Sequence, residues 1–266
     1  MNNLHRELAP ISDAAWAQIE EEATRTLKRH LAARRVVDMP APQGESLAAV
    51  GTGHIEKIAA PGDGIQAHRR IVQPLVELRV PFTLSRQQID DVARGATDSD
   101  WSRVKEAART IAFAEDRAIF DGYAAAGIGG IRPGASNQAL KLPSSVAGYP
   151  SLVARAVQEL RLAGVNGPYR LILGAGPYTL ASGGSEEGYP VVEHLERMVE
   201  GEVVWAPAIA GGLLLTTRGG DFELDVGQDL SIGYLSHSST DVELYFQESF
   251  TFRLLTTEAA VALVAA

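Results

Sequence analysis

The chain has 266 residues, no cysteine, and a formal net charge of −9 from 33 acidic and 24 basic side chains. This acidic balance argues against nucleic acid as the main partner, because contacts to phosphates need a concentrated basic face. Without cysteine there is no disulfide, no thiolate metal ligand and no cysteine nucleophile. The first ten residues lack the apolar core of a secretory signal, and the apolar tail at 259–266 is too short to span a bilayer, so we expect a cytoplasmic protein without membrane contact.

An amphipathic helix is predicted near the amino terminus, over residues 12–35. Apolar residues recur there at three- and four-residue steps from Trp16 to Leu31, and Ser12 is a suitable N-cap. The far side of the helix is basic and carries Arg25, Lys28, Arg29 and Arg34. Such a face is usually solvated, but a terminal helix that precedes the Pro/Gly-rich stretch 39–53 can equally lie across a neighbouring subunit.

Two extended arms are predicted over residues 54–84, on either side of a turn at 60–64. The returning arm alternates apolar and polar residues, and it contains Pro74 and Pro81. Proline cannot donate a hydrogen bond to a neighbouring strand, which suits an edge or a ribbon that leaves its domain. Because a two-stranded ribbon is only marginally stable alone, something else must cover it, and a second copy of the chain is the simplest candidate.

A long helix is predicted over residues 100–126, where glycines mark its end. The chain that follows favours three further helices and three short strands. The helices are at 151–163, at a brief segment opened by Pro177 and at 191–200, and the strands are at 170–174, 203–205 and 213–217. In the glycine-rich loop 181–190, the adjacent Glu186 and Glu187 indicate a solvated loop or, where several copies meet around an axis, a ring of charge. Helices and strands fall in separate blocks, which is typical of an α+β fold.

The longest strand is predicted over residues 242–254. Apolar and polar residues alternate along it, and Glu248 is the one break on its apolar face. At roughly 3.3 Å per residue the strand spans about 43 Å, so it must cross a large sheet or reach past its own domain. Residues 222–226 alternate in the same sense, and we therefore expect a long antiparallel ribbon near the carboxyl end.

The sequence offers little that resembles a catalytic or metal site. The six histidines lack the paired spacing of metal ligands, and the turn Gly174-Ala-Gly176 is a weak match to a phosphate-binding loop. We therefore expect no enzyme activity, no metal and no cofactor. Glu115 lies on the apolar stripe of the long helix beside Asp116, and we interpret it as a member of an ion pair at the edge of that stripe.

A series of short motifs runs from one end of the chain to the other. In order they are Asn3-Leu-His-Arg-Glu-Leu-Ala-Pro-Ile11, Arg34-Arg-Val-Val-Asp38, Pro74-Leu-Val-Glu-Leu-Arg79, Phe82-Thr-Leu84, Asn166-Gly-Pro-Tyr169, Gly188-Tyr-Pro190, Gly219-Gly-Asp-Phe222 and Gly227-Gln-Asp-Leu-Ser-Ile-Gly-Tyr234. Their order and spacing resemble the encapsulins, the linocin-type bacterial shell proteins that share the capsid fold of tailed phages. The resemblance covers essentially the whole chain, and the glycine-framed segment near the carboxyl end is similar to the mycobacterial branch.

The resemblance implies an HK97-like capsid fold, of the α+β class, in four parts. These are an N-terminal helix and arm at 1–50, an extended E-loop at 51–85, a peripheral domain at 86–132 and 222–266, and an axial domain at 133–221. Encapsulins close into icosahedral shells, so a shell of sixty copies is expected. The loop expected at a five-fold pore consists of Ser182, Gly183, Gly184, Ser185, Glu186, Glu187, Gly188 and Tyr189.

Encapsulin shells capture a cargo enzyme through a short peptide at the carboxyl terminus of the cargo. The resemblance places the peptide groove at Leu27, Leu31, Arg34, Asp38, Asp229, Ile232 and Tyr234. Arg34 and Asp38 are expected to fix the direction of the peptide, while Leu27, Leu31 and Ile232 are equally compatible with an ordinary core. The expected cargo is a dye-decolorising peroxidase or a ferritin-like iron protein. No flavin is expected, because residues 85–90 offer no aromatic-rich pocket.

Two alternatives remain at this point. A phage or prophage major capsid protein normally carries a scaffolding region and an interior compatible with DNA, and the net acidity disfavours it. A linocin-like bacteriocin or hydrolase would need a nucleophile and a base within hydrogen-bond reach, and the sequence suggests no such pair.

Overall fold

The chain is a mixture of helices and strands. A computed structural model describes residues 3–186 and 188–264 and, of Glu186, the backbone alone. The helices in these ranges are α1 (Asp13–His30), α2 (Arg86–Ala93), α3 (Ser102–Phe120), α4 (Ile131–Gly134), α5 (Tyr149–Leu162), α6 (Ala175–Gly183) and α7 (Val191–Val199). The strands are β1 (Ala49–Ile58), β2 (Ala67–Pro74), β3 (Val76–Ser85), β4 (Leu140–Lys141), β5 (Tyr169–Leu173), β6 (Ser185–Glu186), β7 (Tyr189–Pro190), β8 (Val203–Trp205), β9 (Gly212–Thr216), β10 (Phe222–Val226), β11 (Ser231–His237), β12 (Asp241–Leu254) and β13 (Ala260–Val264). None of these helices is long and apolar enough to cross a bilayer.

The predicted long strand is confirmed as β12, which organises a four-stranded antiparallel sheet. β3 pairs with β12 from Asp241 to Phe250, while β11 and β10 pair with it in succession from Val242 to Leu254. The antiparallel ribbon expected near the carboxyl end is therefore present, and β3 extends it into a sheet.

Both faces of β12 are buried along most of its length, although Glu243 near its start is exposed. Tyr245, Gln247 and Thr251, opposite the apolar row, are buried as well. The amino-terminal segment covers part of this face, since Tyr245 Oη donates to the Asn3 carbonyl oxygen at 3.1 Å. Gln247 Nε2 donates to Gln228 Oε1 at 2.5 Å, and the Gln228 and Asn3 side chains bond to each other.

The second sheet has five strands in the order β4-β13-β9-β5-β8. β13 pairs antiparallel with β9 and parallel with β4. The sequence grouped residues 222–266 with the peripheral domain, but β13 joins strands from the part assigned to the axial domain. The physical reason is burial: residues 260–263 are all apolar and buried, so this segment fills an internal position of the sheet.

β1 and β2 form an antiparallel hairpin that pairs with no third strand in the described ranges. Large apolar side chains on and around it are at least 40% exposed: Ile55, Ile58, Ile65, Ile71 and Val72. The expected arm over residues 54–84 was too long, because the chain leaves the hairpin after Pro74. From Val76 onward the returning arm pairs with β12, where its apolar residues Phe82 and Leu84 become buried.

Helix α1 begins where the sequence predicted but ends five residues early. The Ser12 Oγ accepts a hydrogen bond from the Ala15 N–H at 3.3 Å, which confirms the N-cap. Beyond His30 the backbone leaves the helical path, and the N–H groups of Ala32 and Ala33 donate to the Asp116 carboxylate of α3 instead. A side chain distant in sequence therefore sets the end of this helix.

Helix α3 also ends before its predicted limit, at Phe120. Gly122 and Gly130 follow with φ of +90° and +74°, in the left-handed region that favours glycine. A Cβ on Gly122 would lie 2.7 Å from the Gly129 carbonyl oxygen, so the chain folds back on itself there in a tight turn.

Candidate functional site

The residues predicted to hold a cargo peptide fall into three separate environments. Leu27, Ile232 and Tyr234 contact one hydrophobic cluster formed by α1, α3 and the sheet around β12. Ile232 is 6% exposed and belongs to the core itself, whereas Leu27 and Tyr234 are half-buried. Leu31 is half-buried as well, and its N–H closes the end of α1 by donating to the Leu27 carbonyl oxygen at 2.9 Å.

Arg34 lies in a buried ion cluster. Its guanidinium contacts three carboxylates: Glu115 of α3 at 2.5 Å, Asp229 of the β10–β11 turn at 2.7 Å, and Glu248 of β12 at 3.2 Å. The side chains of Glu115 and Glu248 are 0% exposed, whereas that of Asp229 is 43% exposed. Arg34 therefore ties the segment after α1 to the long helix and to the central strand.

One positive charge faces three carboxyl groups in this cluster. Burial and repulsion from Glu115 raise the pKa of Glu248 well above its usual range. Burial opposes the charged form of Arg34, but hydrogen bonds and attraction to Glu115 and Asp229 outweigh it, so the pKa of Arg34 is raised. A proton retained by Glu248 relieves the repulsion between the two fully buried carboxyl groups.

Asp116, beside Glu115 on α3, fixes the chain immediately after α1. Its carboxylate oxygens accept from the Ala32 N–H at 3.0 and 3.1 Å and from the Ala33 N–H at 2.9 Å. Burial raises the pKa of Asp116 to about 7, although these backbone hydrogen bonds act in the opposite direction. The connection after α1 is therefore held by a carboxyl group that titrates near neutral pH.

We expect the thermal stability of the protein to fall as the pH rises toward 7. In the unfolded chain Asp116 loses its proton at about pH 4, whereas in the native state it retains the proton up to about pH 7. Between these two pH values, each unit of rising pH lowers the contribution of Asp116 to the free energy of unfolding by about 1.4 kcal/mol. Melting curves at pH 5, 6, 7 and 8 should therefore be less pH-dependent for Asp116→Asn than for wild type.

The exposed Asp98 supplies a matched control for this prediction. Asp98→Asn should keep the wild-type dependence of melting temperature on pH. An Asp116→Asn protein with an unchanged slope would contradict the assignment of a retained proton to Asp116.

Asp38 lies apart from the ion cluster. Its Oδ2 accepts from the Gly220 N–H at 2.6 Å, and its backbone exchanges hydrogen bonds with Phe222 and Leu224 of β10 at 2.9 and 2.8 Å. Gly219 and Gly220 have φ of +88° and +81°, so the Asp38 carboxylate holds a glycine turn ahead of that strand. In the described ranges no hydrogen bond or ion pair joins Asp38 to the other residues of the predicted groove.

The sequence points to Arg34 and Glu115 individually, but it does not predict that they contact each other. Glu115 was interpreted as an ion pair at the edge of an apolar stripe; the pair is confirmed, but Glu115 lies at the buried centre. The break that Glu248 makes in an apolar strand face was the available signal for the second carboxyl group. Among the described residues, no group of three or more acidic or histidine side chains is placed to hold a metal ion.

The predicted pore loop forms a minimal hairpin. Ser182 and Gly183 end α6, Gly184 links it to β6, Ser185 and Glu186 form β6, and Tyr189 begins β7. Gly188 turns the chain with a φ of +88°, and Tyr189 is 71% exposed. Glu187 and the side chain of Glu186 lie outside the described residues, and so does the predicted ring of charge.

Comparison with known proteins assigns this arrangement to a family. A family model described as "Encapsulating protein for peroxidase" matches residues 1–251. The chain belongs to the encapsulin shell proteins. It is 61% identical over 263 residues to the type 1 encapsulin shell protein of Rhodococcus erythropolis, in a match that covers 99% of this chain and 100% of that protein. The type 1 encapsulin shell protein of Mycobacterium tuberculosis is 57% identical, with 99% of each chain covered.

Solved structures confirm the expected HK97-like capsid fold for this encapsulin. A virus-like particle from Pyrococcus furiosus matches with a TM-score of 0.65 at 18% identity, covering 93% of this chain and 98% of that one. The Mycobacterium phage Bobi chain matches with a TM-score of 0.57 at 14% identity, covering 89% and 91%. At these identities the phage capsids show only that the fold is shared. The type 1 encapsulin shell proteins are similar to this chain in sequence over its whole length, so the chain acts as a shell protein.

Proposed function

We propose that the chain assembles into a closed icosahedral shell of sixty copies in the cytoplasm, enclosing a cargo enzyme held by a peptide at the carboxyl terminus of that enzyme. The observation that supports assembly is the β1–β2 hairpin, an exposed apolar ribbon without a third strand in the described ranges. Such a ribbon is marginally stable in water and favours pairing with another chain. In a closed shell, other copies of the chain supply that cover.

We infer that the cargo peptide docks on half-buried apolar side chains beside α1 and β11, namely Leu27, Leu31 and Tyr234. Ile232 supports these side chains from the core. Arg34 holds the wall of the groove in place, because its charge is already matched by carboxylates of its own chain. Asp229 keeps an exposed carboxylate for a donor on the peptide, whereas Asp38 is left out because it holds the glycine turn.

We infer further that the β6–β7 tip borders a pore on a five-fold axis. Ser182 and Gly183 are exposed at the end of α6, and Tyr189 extends into solvent from the facing strand. Small substrates would reach the enclosed enzyme past this tip.

The proposed cargo is a redox enzyme, either a dye-decolorising peroxidase or a ferritin-like iron protein. The family description names a peroxidase as what its members encapsulate. A relative from Kuenenia stuttgartiensis, 23% identical over 237 residues, is named a diheme-cytochrome-encapsulin shell fusion protein. Both names associate shells of this family with redox proteins.

Cargo loading tests the groove with a matched pair of leucines. Leu31→Asp removes an apolar contact of about 1.5 kcal/mol and should weaken loading of a peroxidase roughly tenfold, measured as the cargo-to-shell ratio after size exclusion. Leu162→Asp changes a leucine that is 75% exposed on α5 and should load normally. The groove is refuted if Leu31→Asp shells load as well as Leu162→Asp shells, or if a cargo without its carboxyl-terminal tail loads equally.

A further inference from the structure

Helices α1 and α3 run side by side in the same direction and enclose a cleft outside the predicted peptide groove. Trp101 Nε1 donates to Gln18 Oε1 at 3.2 Å at one end of the pair, and Asp116 holds the segment after α1 at the other. The cleft between them has a volume of about 570 Å³. This volume falls within the range of small-ligand sites, roughly 300 to 1,000 Å³.

The lining of this cleft is basic, in a chain whose net charge is −9. His30 lines the cleft, and the charged side chains that line it are Glu22, Arg25, Arg29, Lys105, Glu106 and Arg109. Four cations therefore face two carboxylates. Of the four basic residues predicted on the far side of the amino-terminal helix, Arg25 and Arg29 line the cleft, whereas Arg34 lies in the buried ion cluster.

Both carboxylates of the lining already have cationic partners. Glu22, which is 6% exposed, forms an ion pair with Arg25 and lies 3.9 Å from Lys105. The Thr26 hydroxyl donates to Glu22 Oε1 at 3.4 Å and helps to fix this carboxylate in the floor of the cleft. Glu106 lies 3.4 Å from Arg103, on its own helix.

Arg29 and Arg109 remain without a carboxylate within 4.0 Å in the described part of the chain, and they approach the cleft from facing helices. Two guanidinium groups that line one cleft without a carboxylate partner leave an excess of positive charge there, which favours the binding of an anion. Guanidinium groups match the oxygens of phosphate with paired, charge-assisted hydrogen bonds.

We propose that this cleft binds a small multivalent oxyanion of the phosphate class between Arg29 and Arg109. The inference is independent of assembly, because all the residues that carry it belong to one chain. A small anion fits better than a nucleic acid, since the positive charge is confined to one cleft on an acidic protein.

Titration calorimetry of the purified full-length protein with sodium pyrophosphate, in a buffer of low ionic strength, tests the site. Wild type should bind about one pyrophosphate per chain in a saturable manner, and Arg29→Gln with Arg109→Gln should weaken binding at least about tenfold by removing both guanidinium groups. Arg197→Gln is the matched control, because Arg197 is 77% exposed on α7 and lies 3.9 Å from Glu193.

Three results would overturn the proposal. These are the absence of saturable binding to wild type, equal weakening in the Arg197→Gln control and the double variant, and binding of a single-stranded oligonucleotide without binding of pyrophosphate. Because the same samples can be imaged, a loss of pyrophosphate binding is distinguishable from a failure to form shells. The substituted side chains are exposed, so circular dichroism should report an unchanged fold.

Discussion

Replacing Arg34 with leucine is expected to lower the free energy of unfolding by about 3–5 kcal/mol. The change leaves Glu115 and Glu248 buried, with no other cation in contact with them among the described residues. Because burial raises the pKa of Glu248, this carboxyl group can take up a proton at the lower pH, so the loss should be larger at pH 8 than at pH 5. Guanidinium chloride denaturation followed by tryptophan fluorescence, at one fixed protein concentration, measures the difference.

The neighbouring Arg35 provides the control for this experiment. Arg35 pairs with Glu202 at 2.9 Å, but the two side chains are 42% and 47% exposed. Arg35→Leu should therefore change the free energy of unfolding by less than about 1 kcal/mol. Equal effects of the two substitutions would contradict a buried ion cluster. A charge reversal at Arg34 is unsuited to testing peptide docking, because loss of the fold would imitate loss of loading.

Introducing aspartates at Ile55 and Val72 is expected to abolish shell assembly while the protomer stays folded. These side chains are 56% and 51% exposed within one chain, so the substitutions remove little of its own packing. In an assembled shell each aspartate would replace an apolar side chain that is buried between subunits. This removes about 1.5–3 kcal/mol of burial free energy per site, and burying the charge adds a further desolvation cost. The loss recurs for every copy of the hairpin in the shell.

Size-exclusion chromatography and circular dichroism separate assembly from folding in this variant. The double variant should elute as a small species with wild-type secondary structure, while Leu162→Asp should elute as shells. Shells formed by the double variant in normal yield would show that the hairpin is not the element that joins subunits.

Local patterns predicted the elements of this fold well. The alternation along β12 and the capping residue of α1 are properties of neighbouring residues, and both were correct. The ends of α1 and α3 were placed too late, because Asp116 captures the backbone after α1 and Gly122 packs against Gly129. The strand β13 is not predicted from the sequence, since its apolar composition does not specify which strands it will lie between.

The contacts within the ion cluster cannot be predicted from one sequence, because they join residues that are far apart along the chain. Arg34 is separated by 81 residues from Glu115 and by 214 residues from Glu248. Each carboxyl group was visible as an anomaly on an apolar face, but the pairing follows only from the packing of α3 against β12. The environments of the groove residues also depend on the tertiary fold. Ile232 lies in the core, and the Asp38 carboxylate holds a glycine turn.

Electron microscopy of the purified chain alone tests the central claim most directly. If the exposed hairpin finds its cover on other copies, negative-stain images should show hollow particles of one diameter at micromolar concentration. A population of separate protomers that stays folded, with amides of β1 and β2 protected from hydrogen exchange, would contradict the account.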